Sequence, residues 1–497
     1  RGGSRIDRLP RSFYFRSYIG FHIIDLYILF LQKRISTHSF LTYMYTEIIN
    51  KYNVPVPRYT SYPPANYFEP FTNARYLEAV QQSNQASERA LSFYLHIPFC
   101  RHLCHYCGCN SYPMARPEII ESYVVALHQE IDLILPLLDK DRPIAQIHYG
   151  GGSPTAIPVA LIKELNAHLL SSFPAIDRPE IAIECHPGYL SEKDWLQLTE
   201  CGFNRLSIGV QDFNIEVLKT VNRRPSLLPM EDIFILLREK GISINLDFLY
   251  GLPKQTVENF TRNIKQAILL SPDRLVMFSY AHVPWINKRQ LLLEKSGLPD
   301  NHEKQTMFDT AAGLLHKSGY QSIGMDHFVL PNDELSIAMQ TKKLHRNFQG
   351  YCTRRTTAQV YGLGVTAISQ LESAYAQNTK DIPHYIKTIS KGELSITKGY
   401  ALSPTEQLTR EVIETLMCNG CIDWRDLSKR LHVSVSTLKA ATAYDEKKLS
   451  GFADDGLIYY TDDYLEMTTA GSAFVRNVAA SLDKLMLHSP HSYSKPL

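Results

Sequence analysis

Leu91-Ser-Phe-Tyr-Leu-His-Ile-Pro-Phe-Cys-Arg-His-Leu-Cys-His-Tyr-Cys-Gly-Cys109 decides how the rest of the chain reads. Its first seven residues have the β-branched and aromatic content of a strand. Pro98 ends the run, and four of the nine cysteines then fall between Cys100 and Cys109. Thiols crowded in this way point to metal ligation in a reducing compartment, not to a disulfide framework. Cys100, Cys104 and Cys107 have CxxxCxxC spacing, so one loop supplies three corners of a four-iron, four-sulfur cluster and leaves the fourth iron without a protein ligand. An iron of that kind can be chelated by the amino and carboxylate groups of S-adenosylmethionine, and reduction then cleaves the sulfonium bond to a carbon radical. The rival is a zinc site, completed by Cys109 or a nearby histidine.

Outward from this loop, short β-rich runs alternate with helical patterns as far as residue 285. The strands are expected at Leu91–Ile97, Ile144–Tyr149, Glu180–Glu184, Arg205–Val210, Ser243–Leu249 and Arg274–Tyr280. Several read as apolar on both faces, as parallel strands covered on both sides do. Helices are expected near 116–138, 159–172, 190–201, 214–222, 229–240 and 257–270. Six such units imply an α/β fold with a parallel sheet, curled into a partial barrel or opened into a doubly wound one. Polar and glycine residues gather just after the strands: the cysteines, Gly150-Gly151-Gly152-Ser153-Pro154, Glu184, Gln211-Asp212, Asp247 with Gly251-Leu-Pro253, and Tyr280-Ala281-His282. Loops converge at the carboxyl ends of parallel strands, so one rim carries the site. The glycines would let main chain approach a ligand closely. Glu184, Gln211, Arg223 and Asp247 offer acceptors for ribose hydroxyls and a guanidinium for a carboxylate.

The flanks read differently. Residues 1–43 carry seven Lys/Arg against two Asp/Glu and an apolar run, Tyr18 to Leu31, broken by Asp25. That run is too short and too polar for a bilayer span, and no small-residue cleavage site follows it. The segment is expected to be a non-native or disordered leader ahead of Met44, with a membrane anchor as the alternative. Residues 44–87 are expected to cover the substrate, 88–285 to form the barrel, 286–400 to extend it, 401–485 to form a cap, and 486–497 to be a tail. The cap reads as helices Glu406–Met417, Trp424–Leu431 and Val435–Leu449 followed by strands Leu457–Thr461 and Tyr464–Met467, the outline of a winged helix. Its third helix has no net basic face, so no nucleic-acid partner is expected. A net charge of +2 gives no reason to expect one either, nor a membrane. Cys185, Cys201, Cys352 and the pair Cys418 and Cys421 are expected to be packing residues.

The chain resembles the oxygen-independent coproporphyrinogen III oxidase (dehydrogenase) family of radical S-adenosylmethionine enzymes. The resemblance rests on Tyr52 to Pro63, Tyr94 to Asn110, Gly209-Val-Gln-Asp-Phe-Asn214, Asp247 to Gln255, Tyr280-Ala-His282, Gly324-Met-Asp-His-Phe328 and His345-Arg-Asn-Phe-Gln-Gly350. It implies a partial six-stranded parallel (β/α)6 barrel with a mainly helical, winged-helix-like C-terminal domain. It also implies one [4Fe-4S] cluster on Cys100, Cys104 and Cys107, and two molecules of S-adenosylmethionine. The positions matching contacts of the first are Tyr94, Tyr106, Gly151, Glu184 and Ile368. Those matching the second are Gly152, Ser153, Gln211, Arg223, Asp247 and Ala281. Cys109 matches a family cysteine that is not a ligand; Tyr106 and Ser153 stand where Phe and Thr are common.

The implied reaction is oxidative decarboxylation of two propionates of coproporphyrinogen III to vinyl groups, giving protoporphyrinogen IX in haem biosynthesis. A cytoplasmic monomer served by a reductant such as flavodoxin or ferredoxin is expected. The substrate carries four carboxylates, which directs attention to Arg58 and Arg346. A haem-binding chaperone of the same superfamily is the rival. Such relatives typically lack the Cys107-Gly-Cys109 pair and the Arg58–Tyr62 segment.

Overall fold

The computed structural model describes residues 47–353 and 359–496; the leader expected over 1–43 lies outside them. Six parallel strands run in sequence order across the sheet: β1 (Leu91–Ile97), β2 (Ile144–Gly151), β3 (Ala175–Cys185), β4 (Arg205–Gln211), β5 (Ser243–Tyr250) and β6 (Arg274–Ser279). The crossovers carry helices Pro117–Ile134, Val159–Ser172, Glu192–Thr199, Ile215–Thr220, Met230–Glu239 and Val257–Leu270. Several begin where the sequence supplies a cap: Ser191 with Asp194, and Thr256 with Asn259, form reciprocal capping boxes.

The strands present one buried apolar face; the alternate residues are less buried and not apolar. Ile147, Tyr149, Ile181, Ile183, Leu206, Ile208, Ile244 and Leu246 point outward and pack in one core. The alternate residues Gln146, His148, Glu180, Glu184, Arg205, Ser207, Asn245, Asp247 and Arg274 line a single cavity of about 140 Å3. Side chains from β2 and from β6 meet in one space only if the sheet curls around it. The second face is therefore a polar lumen, and this corrects the expectation that several strands are apolar on both faces.

The sheet continues beyond β1 and β6. On the β6 side it adds antiparallel β7 (Gln321–Ile323) and β8 (His327–Val329), with β8 next to β6. A hairpin, β9 (Leu344–Asn347) and β10 (Gly350–Thr353), stands apart as its own sheet. On the β1 side, β11 (Val360–Leu363) is parallel to β1 and is followed by antiparallel β12 (Ile368–Gln370), β13 (Ala374–Asn378) and β14 (Ile396–Ala401). The edge pair Glu69–Pro70 brings the sheet to thirteen strands. Much of 286–400 is therefore more of the same sheet.

The C-terminal part holds helices Pro404–Asn419, Trp424–Leu431, Val435–Ala441 and Glu446–Asp454, and a three-stranded sheet of β15 (Cys421–Asp423), β16 (Ile458–Tyr460) and β17 (Tyr464–Met467). The helix expected over Val435–Leu449 is broken. Asp445 accepts from the amides of Lys447 and Lys448 and so caps a new helix. Tyr52, Tyr59 and Tyr62 reach into this domain's core beside Trp424 and Phe474. The Tyr59 hydroxyl donates to Asp483 at 3.0 Å and the Asn477 amide to the Tyr52 carbonyl at 2.8 Å. Among the described residues no helix is long and apolar enough to cross a membrane.

Candidate active site

The cysteine loop leaves β1 at Pro98 and is held from every side. Gly152 and Ser153, just past β2, donate their amides to the carbonyls of Ile97 and Phe99 at 2.8 and 2.9 Å. The His105 amide donates to the Val221 carbonyl at 3.0 Å, and Asn222 donates to the Leu103 carbonyl at 3.0 Å. Asn287 and Gln290 donate to the carbonyls of Cys107 and Tyr106 at 2.6 and 3.0 Å. Gly152 is required here because a Cβ would lie 2.6 Å from the Pro98 oxygen. Gly151 has φ +116, and a Cβ on it would enter the His96 ring at 2.7 Å. The glycine run thus lets the protein's own strands and loop close up on one another.

The thiols are close enough to act on one another electrically. Burial, followed by the charges of Cys107 and Cys104, pushes the Cys100 thiol up to about 12. A hydrogen bond from Cys109 holds Cys107 down to about 6. Arg223 donates to the Cys104 sulfur at 3.6 Å, to the Tyr106 hydroxyl at 3.1 Å and to the Gly209 carbonyl. A guanidinium against a thiolate loop is the counter-charge an anionic cluster requires. Among the described residues no three His, Cys, Asp or Glu side chains converge on a single-ion site. A cubane does not need them to converge, because each thiolate binds a different iron. The donor set and its cation therefore fit a cluster.

Beside this loop lies a cavity of about 360 Å3 lined by Tyr94, Gly151, Glu184 and Ile368, with Cys109 and Gly108 at its loop side. Four positions expected around one S-adenosylmethionine thus share one space. The fifth, Tyr106, turns instead toward Val217, Leu249 and Tyr280. Glu184 lines both this cavity and the lumen, where Asp247 faces it. Asp247 accepts from Ser207 and Asn245 at 2.8 Å each. Burial nevertheless raises its carboxyl to about 6, and the charge of Glu184 adds to the rise.

The remaining positions are spread along the rim. Gly152 and Ser153 are spent on the cysteine loop, and Gln211 ends β4 with φ 67. Arg223 lies on Cys104, while Ala281 faces a separate cavity beside β6. Arg58 lines that same cavity, whereas Arg346 is buried with its guanidinium 4.4 Å from the Tyr351 ring.

Residues 94–267 match the Radical SAM superfamily. The oxygen-independent coproporphyrinogen III oxidase of Helicobacter pylori is 36% identical over 455 residues, 91% of this chain and 99% of that protein. Its Escherichia coli K12 counterpart is 40% identical over 441 residues, 88% and 94% of the two. The solved structure of coproporphyrinogen III oxidase (HemN) from Escherichia coli, a radical SAM enzyme, matches with TM-score 0.79 and 38% identity, over 86% of this chain and 97% of that one. The chain belongs to the oxygen-independent coproporphyrinogen III oxidase family. It is accordingly a radical S-adenosylmethionine oxidoreductase, with a [4Fe-4S] cluster and S-adenosylmethionine as its cofactors.

In this family member the site has further residues that sequence reasoning did not select. His96 also lines the cavity; its Nδ1 meets the Tyr94 hydroxyl at 3.2 Å and its Nε2 meets the Asn110 carbonyl and Thr366. Burial drops its pKa to about 4, so it is a neutral imidazole at pH 7. The tip of the β9–β10 hairpin, Phe348 and Gln349, closes the same cavity. The alternation Tyr94, His96 on β1 carried the signal for His96: both side chains face inward, two residues apart.

Proposed function

We propose that this chain converts coproporphyrinogen III to protoporphyrinogen IX in haem biosynthesis without oxygen. Two propionates each lose a β-hydrogen and carbon dioxide to leave a vinyl group, and the surplus electron goes to an external acceptor. The observation carrying this reading is the convergence of the cysteine loop with Tyr94, Gly151, Glu184 and Ile368 on one cavity, in a chain spanning nearly the whole length of its curated relatives. When bound, the cluster and S-adenosylmethionine supply the hydrogen-abstracting radical.

Cys100, Cys104 and Cys107 would hold the cluster, with Arg223 balancing its charge. Tyr94, Tyr106, Gly151, Glu184 and Ile368 would bind the reacting S-adenosylmethionine, and Gly152, Ser153, Gln211, Arg223, Asp247 and Ala281 a second molecule. Neutral His96 buttresses Gly151 and Tyr94 and brings no charge to the cavity. Residues 44–87 would cover the substrate, and the enzyme would work in the cytoplasm as a monomer reduced by a flavodoxin or ferredoxin. Anaerobic incubation with coproporphyrinogen III, S-adenosylmethionine and a reductant is the test. Protoporphyrin after oxidation is expected, as is a paramagnetic resonance signal of the reduced cluster that shifts on adding S-adenosylmethionine. Stoichiometric haem binding without product would make the protein a haem carrier instead.

A further inference from the structure

A cavity of about 690 Å3 lies outside the lumen, between the carboxyl ends of β5 and β6, helix Asn301–Lys317, the segment around Arg58 and the C-terminal part. Ser279 and Met277, which alternate with lumen-lining Phe278, face it, so the curled sheet separates it from the lumen cavity. Its wall carries the aromatic and apolar side chains of Tyr250, Tyr280, Phe308 and Met325. Trp285 at the wall is 63% exposed and its neighbour Ile286 is 73% exposed. Two large apolar side chains left in water side by side mark a contact surface.

The same wall carries more cations than its own acids balance. Arg58, Lys304 and Arg476 line it. Asp326 is the carboxylate that Arg58 meets, at 3.5 Å, and it is already held by His327 at 2.7 Å. Asp309, further along the wall, accepts from Gln305. Among the described residues Lys304 donates only to the Tyr280 carbonyl, at 3.3 Å. Burial, with Arg58 alongside, pulls the Lys304 ammonium down to about 8. Arg476 is buried and spends its guanidinium on the carbonyls of Val56, Pro57, Ser494 and Lys495, with the Ser494 hydroxyl alongside. Its charge is met by neutral acceptors, while burial, Arg58 and Arg346 all disfavour it. Lys304, half-buried and with no carboxylate against it among the described residues, is costly to hold charged unless an anion completes the site.

We infer that this cavity binds carboxylates of a tetrapyrrole: Lys304 and Arg58 engage propionates while the ring system lies along the aromatic wall. The inference rests on the substrate class proposed above and assigns it a second contact region, outside the lumen. Lys304 is here a binding residue with no part in the chemistry. It sits in a capped helix that Lys304→Gln leaves intact, and Lys304→Arg restores the charge.

The test uses reconstituted holoenzyme. Anaerobic kinetics with coproporphyrinogen III are measured alongside fluorescence binding of coproporphyrin III and of its uncharged tetramethyl ester. Lys304→Gln is expected to raise KM and the coproporphyrin Kd about tenfold, the value of one charge-assisted contact. Turnover number should stay within about twofold, Lys304→Arg should recover most of the affinity, and ester binding should be the same in all three proteins. Unchanged KM and Kd in Lys304→Gln overturn the inference. So does displacement by acetate with no preference for the acid over its ester, which would mean a site for a free small anion. Wild-type enzyme that binds coproporphyrin through Lys304 yet turns over no porphyrinogen sinks the assigned reaction and upholds the cavity.

Discussion

The two ends of the lumen use the same strands for opposite purposes. At the amino-terminal end, Arg205 meets Glu180 at 2.9 Å and Arg274 meets Asp333 at 2.8 Å, with cross-contacts of 3.8 Å closing the set. At the carboxyl-terminal end, Asp247 and Glu184 face the same cavity, and among the described residues neither is paired with an arginine or lysine. Burial raises the Glu180 carboxyl, but Arg205 and Arg274 outweigh that and bring it to about 2. Burial of Asp247 goes unopposed by such a cation, and its carboxyl rises to about 6. At one end a network of two arginines and two carboxylates ties β3, β4 and β6 together. Carboxylates at the other end are hydrogen-bonded but meet no arginine or lysine among the described residues.

The sharpest way to separate the two ends is to remove one function from each. Cys104→Ala should abolish cluster retention and product formation, read as iron content and anaerobic turnover, while the far-ultraviolet spectrum stays unchanged. A loss of folded structure in that variant would mean the cluster loop also carries the barrel, and the division of labour would fall. Arg274→Met should do the reverse. It strands Asp333 without its main partner and removes the 3.8 Å contact to Glu180, so stability to denaturant should fall by about 3–5 kcal/mol, with iron content per folded molecule unchanged.

The active rim was the more legible end, because its chemistry is written in local spacing. Cysteines at CxxxCxxC and glycines behind a strand signal themselves within ten residues. The ion network was missed because its members lie on different strands. Glu180, Arg205 and Arg274 each open an expected strand, and only the curl of the sheet brings them together. Tyr59 was equally silent: its partner Asp483 is 424 residues away. The hairpin tip Phe348-Gln349 could not be placed, since a short antiparallel pair gains its meaning from the cavity it closes. The Asp445 cap, by contrast, is local, and the helical run on either side of it obscured the break.

The smallest effect sharpens the comparison furthest. Glu180 has its carboxyl depressed below the usual 4.5, so its contribution is complete above pH 4.5 and is lost as pH falls toward about 2. Asp247 has the opposite sign. Its folded carboxyl, at about 6, holds a proton more tightly than the usual 3.8, so stability rises as pH falls through 6 and the gain is complete below 3.8. Asp247→Asn removes the buried charge but keeps the reach to Ser207 and Asn245. At pH 7 it should add on the order of 2 kcal/mol to stability and erase the rise between pH 6 and 4, while weakening S-adenosylmethionine binding several-fold. Urea unfolding across that pH range, paired with a binding isotherm, reads both. If Asp247→Asn lowers stability instead, the rim carboxylate is as well satisfied as Glu180, and the two ends of the lumen do not differ in the way their pairing indicates.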